Sequence, residues 1–155
     1  MKSANLTVLV PVKNGSRYLD RKIENLKACC LNCTQGVSVV ISVNLSSDNS
    51  YRKTLSLVKD DSRFRVFVHE NELSMLENFQ FLLSKCETEF ICFSAVDDFT
   101  NEFFFTESIE LLQNHPEIVG AKAKALFIPP IHGTAPISFS IFGNEYQRYK
   151  TFIQF

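Results

Sequence analysis

The sequence predicts an open α/β fold, a mostly parallel sheet with helices on both faces. Short apolar runs rich in β-branched residues at Leu6–Pro11 and Val37–Val43 have the form expected of strands buried on both sides, and strands are also expected at Phe64–Val68 and Glu89–Ser94. Segments of helical spacing separate them, as right-handed strand-helix-strand crossovers require. A hydrophobic content of 45% and a charged content of 21% over 155 residues match one globular domain and exclude disordered, collagen-like and coiled-coil chains.

Each element has its own signal. The first strand ends at Pro11, before the turn-forming pair Asn14-Gly15. From Tyr18 to Leu31 the apolar positions Leu19, Ile23, Leu26 and Cys30 recur at three and four residues among charged ones, predicting an amphipathic helix. Gly36 closes the connection to the second strand, Val37–Val43. Asn44–Ser50 is a polar turn suited to capping a helix that starts near Tyr51 and runs to Lys59. The pattern then repeats: a strand at Phe64–Val68, a helix over Leu73–Lys85 and a strand at Glu89–Ser94. A further helix is expected over Asn101–Asn114, with Phe104, Ser108, Leu111 and Leu112 on one face before Pro116. Ile118–Ala125 is open to another strand. Beyond it Pro129-Pro130 and Gly133 break regularity, and Ile137–Phe155 is aromatic-rich without a period.

A net charge of -1 without a basic half gives no broad attraction to a nucleic-acid backbone, so no nucleic-acid partner is expected. A chain of this length builds a core without staples, and its five cysteines are read as reduced. Cys30 and Cys33 have the spacing of half a zinc site, but no second half exists, and Cys86 and Cys92 belong to different elements. Cys29, Cys30 and Cys33 are therefore read as buried small hydrophobes at a helix end. The apolar run Leu6–Val12 contains Pro11 and is too short for a signal segment or a membrane span. A cytoplasmic location is expected, and the Asn-x-Ser/Thr triplets at Asn5, Asn14, Asn32 and Asn44 carry no weight.

In an open α/β sheet, ligands bind outside the carboxyl ends of the strands where the strand order reverses. Three polar clusters fall at such ends: Pro11-Val12-Lys13-Asn14-Gly15, Asn44 through Asp48, and Asp97-Asp98. The two aspartates suit Mg²⁺ or Mn²⁺, which would neutralise a diphosphate; equally, such a pair serves as a turn or cap before the next helix. His69, at the end of the third strand, is placed to approach this edge or to cap it.

Taken together, these segments resemble family 2 glycosyltransferases of the GT-A fold. LTVLVPVKNGSRYL (Leu6–Leu19) resembles their opening strand and loop, ISVNLSSDN (Ile41–Asn49) their second strand and its loop, and NFQFLLSKCETEFICFSAVDD (Asn78–Asp98) the helix, strand and acidic motif that follow. The resemblance extends over residues 6–120 and implies a Rossmann-like donor-binding part over residues 1–128. Residues 129–155 would begin an incomplete acceptor-side region or tail. It implies that Pro11, Val12 and Asn14 lie beside the base and ribose of a nucleotide-sugar donor, a UDP-sugar being expected. Asp97 would coordinate the divalent ion, Mn²⁺ or Mg²⁺, and Asp98 would flank it. Asn44, Ser46 and Asp48 would form or shape the nucleoside pocket. Asn71 and Asn78 fall near the family's polar positions, Asn78 being read equally as a capping or solvated residue.

Two positions depart from the family pattern. Val43 stands where an aspartate commonly reads the uracil or ribose, and Ala95 where the first acid of a D-x-D triad often lies. Losing one hydrogen bond to a charged group, about 1.5 to 3 kcal/mol, weakens binding roughly ten- to a hundredfold. An inverting transfer also needs a base for the acceptor hydroxyl; Glu145 is the only acid after Glu117, in no context that marks it as that base. The expectation is a glycosyltransferase acting on a saccharide or lipid-linked acceptor in cell-surface polysaccharide synthesis. The alternatives are a catalytically incompetent, truncated nucleotide-binding or interaction module of the same fold, and an unrelated doubly wound protein. In the first case the aromatic tail would be free for peripheral contact with the inner membrane face or for self-association.

Overall fold

A computed structural model describes residues 5–121. Its elements alternate as β1 (Leu6–Val12), α1 (Leu19–Asn32), β2 (Val37–Val43), α2 (Ser50–Val58), β3 (Phe64–Val68), α3 (Met75–Leu83), β4 (Phe90–Phe93) and α4 (Phe104–Asn114). All strand pairs are parallel, in the order β3-β2-β1-β4. Leu6 is in register with Val37 on one side and Phe90 on the other. This is the expected α/β sheet, with the chain stepping outward from β1 through β2 to β3 and then crossing to β4.

The alternation of β1 decides which helices cover which face. Leu6, Val8, Val10 and Val12 point into a core completed by Leu19, Ile23 and Leu26 of α1, Val58 of α2, and Phe105 and Ile109 of α4. Leu9 points the other way, where Val40 and Leu82 of α3 bury it with Phe67 and Phe79 packed alongside. On that same face Thr7 shares its hydroxyl with Ser38 at 3.1 Å and Thr88 at 2.7 Å, so the one polar side chain of the central strand is satisfied.

Element ends differ from the sequence expectation for identifiable reasons. β1 continues past Pro11 to Val12, because Pro11 pairs opposite Ser42 while its missing N–H faces the β4 side, where pairing has already ended at Leu9. α3 starts at Met75 rather than Leu73, since Ser74 and Glu77 form a capping box. α4 buries Phe105 and Ile109, a stripe one residue away from the expected Phe104, Ser108, Leu111 and Leu112; Leu111 is exposed. Residues 118–121 form no strand. The rest of the strand expected to Ala125, the 129–155 region and the aromatic tail lie outside the described residues.

Leu9 is fully buried on the less populated face. Leu9→Ala is expected to lower stability by about 2–5 kcal/mol through lost transfer energy and a cavity, whereas Leu111→Ala should stay within about 0.5 kcal/mol. Urea unfolding of both variants checks this.

Candidate functional site

The strand order reverses between β1 and β4, which makes their carboxyl ends the place for a ligand crevice. The loop after β1 and the loop after β2 meet there and are laced together by side chains. Asn14 has a left-handed backbone, φ 50°, a conformation Asn tolerates. Its N–H donates to Ser46 Oγ at 3.1 Å, and its Oδ1 accepts the Ser47 N–H at 2.8 Å. Gly15 N–H donates to Ser50 Oγ, and Ser16 N–H to Asp48 Oδ2, both at 2.9 Å. The other oxygen of Asp48 takes the Ser50 N–H at 2.9 Å and the Ser50 hydroxyl. Desolvation is the largest single influence on Asp48 and opposes its ionisation, but the Ser50 hydroxyl and the N–H groups of Ser16 and Ser50 together outweigh it and hold the carboxyl below its ordinary pKa.

Two of the sequence-identified positions support this edge from inside. Val12 is fully buried, and its carbonyl accepts the Asn44 N–H at 2.8 Å. Asn44 is 4% exposed; its Oδ1 accepts the N–H groups of Leu45 and Leu73, and its Nδ2 donates to the Leu73 carbonyl at 2.7 Å. Asn44 thus fastens the loop preceding α3 to the end of β2. Beside it the buried Ser42 hydroxyl bonds Asn78 Oδ1 and lies 2.8 Å from His69 Nε2, while the His69 ring meets Phe81 edge-on at 4.5 Å. Burial pushes the His69 pKa down. Pro11 is half-buried, Asn71 is exposed, and Val43 is buried at the end of β2.

The acidic turn follows β4. Ser94 N–H extends the ladder to the Leu9 carbonyl, and Asp98 N–H closes the turn on Ala95 at 3.2 Å. Asp97 and Asp98 are both exposed. Gly15 permits this turn to lie against the first loop: a Cβ there would stand 3.2 Å from Val12 Cγ1 and 3.2 Å from Val96 Cγ1. From beneath, Lys22 of α1, 2% exposed, donates to Ser94 Oγ at 2.6 Å and to the Asp98 carbonyl at 3.0 Å. Burial pulls the Lys22 pKa down, while Asp98 and, more weakly, Asp97 raise it. Asn25 exchanges two hydrogen bonds with the Thr100 backbone at 2.7 and 2.9 Å. Lys22, Asn25 and Ser94 escaped the sequence reading. The available signal was Lys22 itself, three residues after Leu19 and four before Leu26, on the apolar stripe of the helix.

Among the described residues no group of three or more His, Cys, Asp or Glu could hold a metal. The donor set at Asp97 and Asp98 consists of hard oxygens and fits Mg²⁺ or Mn²⁺ held by one or two carboxylates, with substrate phosphates completing the shell. The described cysteines are all free. Burial pushes the Cys29 thiol up to about 11 and the Cys30 thiol up to about 12, so neither is a thiolate at neutral pH.

Residues 7–151 match the model of glycosyl transferase family 2, and the chain belongs to that family. No curated protein matches it. Among solved structures it is similar to S. aureus TarS, with a TM-score of 0.64 and 19% identity over 72% of this chain and 20% of that one. A shorter TarS, residues 1–349 in complex with UDP-GlcNAc, gives 0.63 and 19% over 72% of this chain and 32% of that one. The mannosyltransferase PcManGT from Pyrobaculum calidifontis, in complex with GDP-Man and Mn²⁺, gives 0.61 and 13% over 70% of this chain and 32% of that one. These likenesses show the GT-A fold; the chain spans a fifth to a third of the structures it matches.

Because the folded Asp48 pKa is lowered, the bonds it accepts contribute fully above the ordinary aspartate pKa and are lost as pH falls through the folded value. Amide exchange at Ser16 and Ser50, corrected for intrinsic rates, should lose protection over that acidic window, and Asp48→Ala should remove it at neutral pH. Equal protection in the variant would contradict the lacing role.

Proposed function

We propose that this chain carries the donor-binding part of a glycosyltransferase that moves a sugar from a nucleotide-diphosphate donor to an acceptor hydroxyl. The observation that carries the reading is the meeting of the laced loops and the exposed Asp97-Asp98 turn at the β1/β4 switch point, so close that a Cβ on Gly15 would crowd Val96. Pro11, Asn14 and Asp48 lie at the edge that would receive the base and ribose, with Val12 and Asn44 fixing its backbone. Asp97 would hold Mn²⁺ or Mg²⁺ with Asp98 beside it, and the ion would neutralise the departing diphosphate. A UDP-sugar is the proposed donor, supported by the UDP-GlcNAc complex of a protein with the same fold. The proposed setting is cell-surface polysaccharide synthesis on a saccharide or lipid-linked acceptor, at the cytoplasmic side or the inner membrane face. Among the described residues no helix is long and apolar enough to cross a membrane.

A second reading, a nucleotide-binding module without transferase activity, is favoured by one observation. Val43, where the family commonly has an aspartate, is 1% exposed, so this position offers a donor neither a hydrogen bond nor a surface.

Calorimetric titration with UDP, with and without Mn²⁺, tests the proposal. Binding should be Mn²⁺-dependent, and Asp97→Ala should weaken it at least about tenfold, equivalent to 1.4 kcal/mol. Metal-independent or absent binding at millimolar nucleotide would sink the donor-site reading. Release of free UDP from a UDP-sugar on adding acceptor separates transferase from module.

A further inference from the structure

We infer that Lys22 is the positioning residue of the acidic turn: from α1 it ties the Ser94 hydroxyl to the Asp98 carbonyl, fixing the backbone on which Asp97 and Asp98 stand. The inference rests on the proposed donor site and names the group that shapes it.

Lysine is almost never fully buried, and an ammonium taken out of water costs several kcal/mol unless its surroundings compensate. Lys22 occupies the apolar stripe of α1 between Leu19 and Leu26, where methionine would fill the space without that cost. Among the described residues it makes no ion pair within 4 Å. Its two protein acceptors are the hydroxyl of Ser94, the first residue after β4, and the carbonyl four positions on, so its hydrogen bonds span the segment that carries both aspartates. Asp98 and, more weakly, Asp97 favour its charged form. Asn25, one turn further along the same face, repeats the device on the Thr100 backbone. Helix α1 thus presents a polar ledge under the turn. A turn held at both ends meets its ligand already ordered, which lowers the conformational cost of binding. Ala95 supplies no carboxylate, so within this turn the carboxylates are those of Asp97 and Asp98.

The test compares wild type with Lys22→Met, Lys22→Arg, Ser94→Ala and Asp97→Ala, measuring uridine binding without metal and UDP binding with and without Mn²⁺, with Mn²⁺ also followed by electron paramagnetic resonance. Lys22→Met should keep uridine binding within about twofold and lose at least tenfold of the Mn²⁺-dependent gain for UDP. Lys22→Arg, which keeps charge and donors, should recover part of that gain, and Ser94→Ala should lose less than Lys22→Met. If Lys22→Met does not fold, Ser94→Ala and Lys22→Arg carry the comparison. A Lys22→Met protein that binds UDP and Mn²⁺ like wild type overturns the inference, as does one that loses uridine and UDP in equal proportion. Wild type without Mn²⁺-dependent binding, or Asp97→Ala identical to wild type, shows instead that the donor reading has failed, and the positioning role falls with it.

Discussion

The central place of β1 governs the rest of the molecule. Paired with β2 on one side and β4 on the other, this strand must be apolar on both faces, and its seven residues are buried or nearly so. A strand so enclosed can release its chain only at the end of the sheet, and it does so between two neighbours that leave the sheet at the same edge. The loop after β1 therefore lies between the loop after β2 and the turn after β4. Parallel pairing fixes all three loops on one side, and the crossing from β3 to β4 opens the crevice between them.

Side chains then convert that proximity into a rigid edge. Asn14, Asp48 and Ser50 join the first two loops, Asn44 joins the second to the segment before α3, and Lys22 and Asn25 join the acidic turn to α1. Each buried polar group in this set is satisfied; among the described residues no buried side-chain nitrogen or oxygen lacks a partner. In a low-dielectric setting such networks specify one arrangement, because any other leaves polar atoms unpaired. Exposed beside this edge is the pair of carboxylates at Asp97 and Asp98, the groups suited to meet an ion and a diphosphate.

The sequence made the sheet and its helices legible because periodicity is a local property: the runs at Leu6, Val37 and Phe64 and the stripe from Leu19 to Cys30 needed no knowledge of their partners. The three loops of the crevice were readable for the same reason, since strand ends mark them. Less legible was which polar residue faces inward. Asn44 and Asp48 look alike in a turn, yet one is buried against Leu73 and the other lies exposed, spanning two loops. Lys22, beside Arg21 and close to Glu24, reads as part of a charged face until the spacing to Leu19 and Leu26 is counted. Its partners lie 72 and 76 residues away, a distance over which no pattern in the chain carries information. The stripe of α4 was misplaced by one residue because Phe103, Phe104 and Phe105 offer three apolar choices in succession.

In the proposed reading, three loops from different strands form one donor site around an ion at Asp97. Paramagnetic broadening of backbone amide signals by substoichiometric Mn²⁺ in the presence of UDP tests it most directly, since the effect falls steeply with distance from the ion. The strongest broadening is expected at residues 94–100, extending to Val12–Ser16 and Ser46–Asp48 and sparing Asp60 and Asp61 at the opposite end of β3. Broadening centred on Asp60 and Asp61, or confined to the acidic turn with the two laced loops untouched, would contradict it.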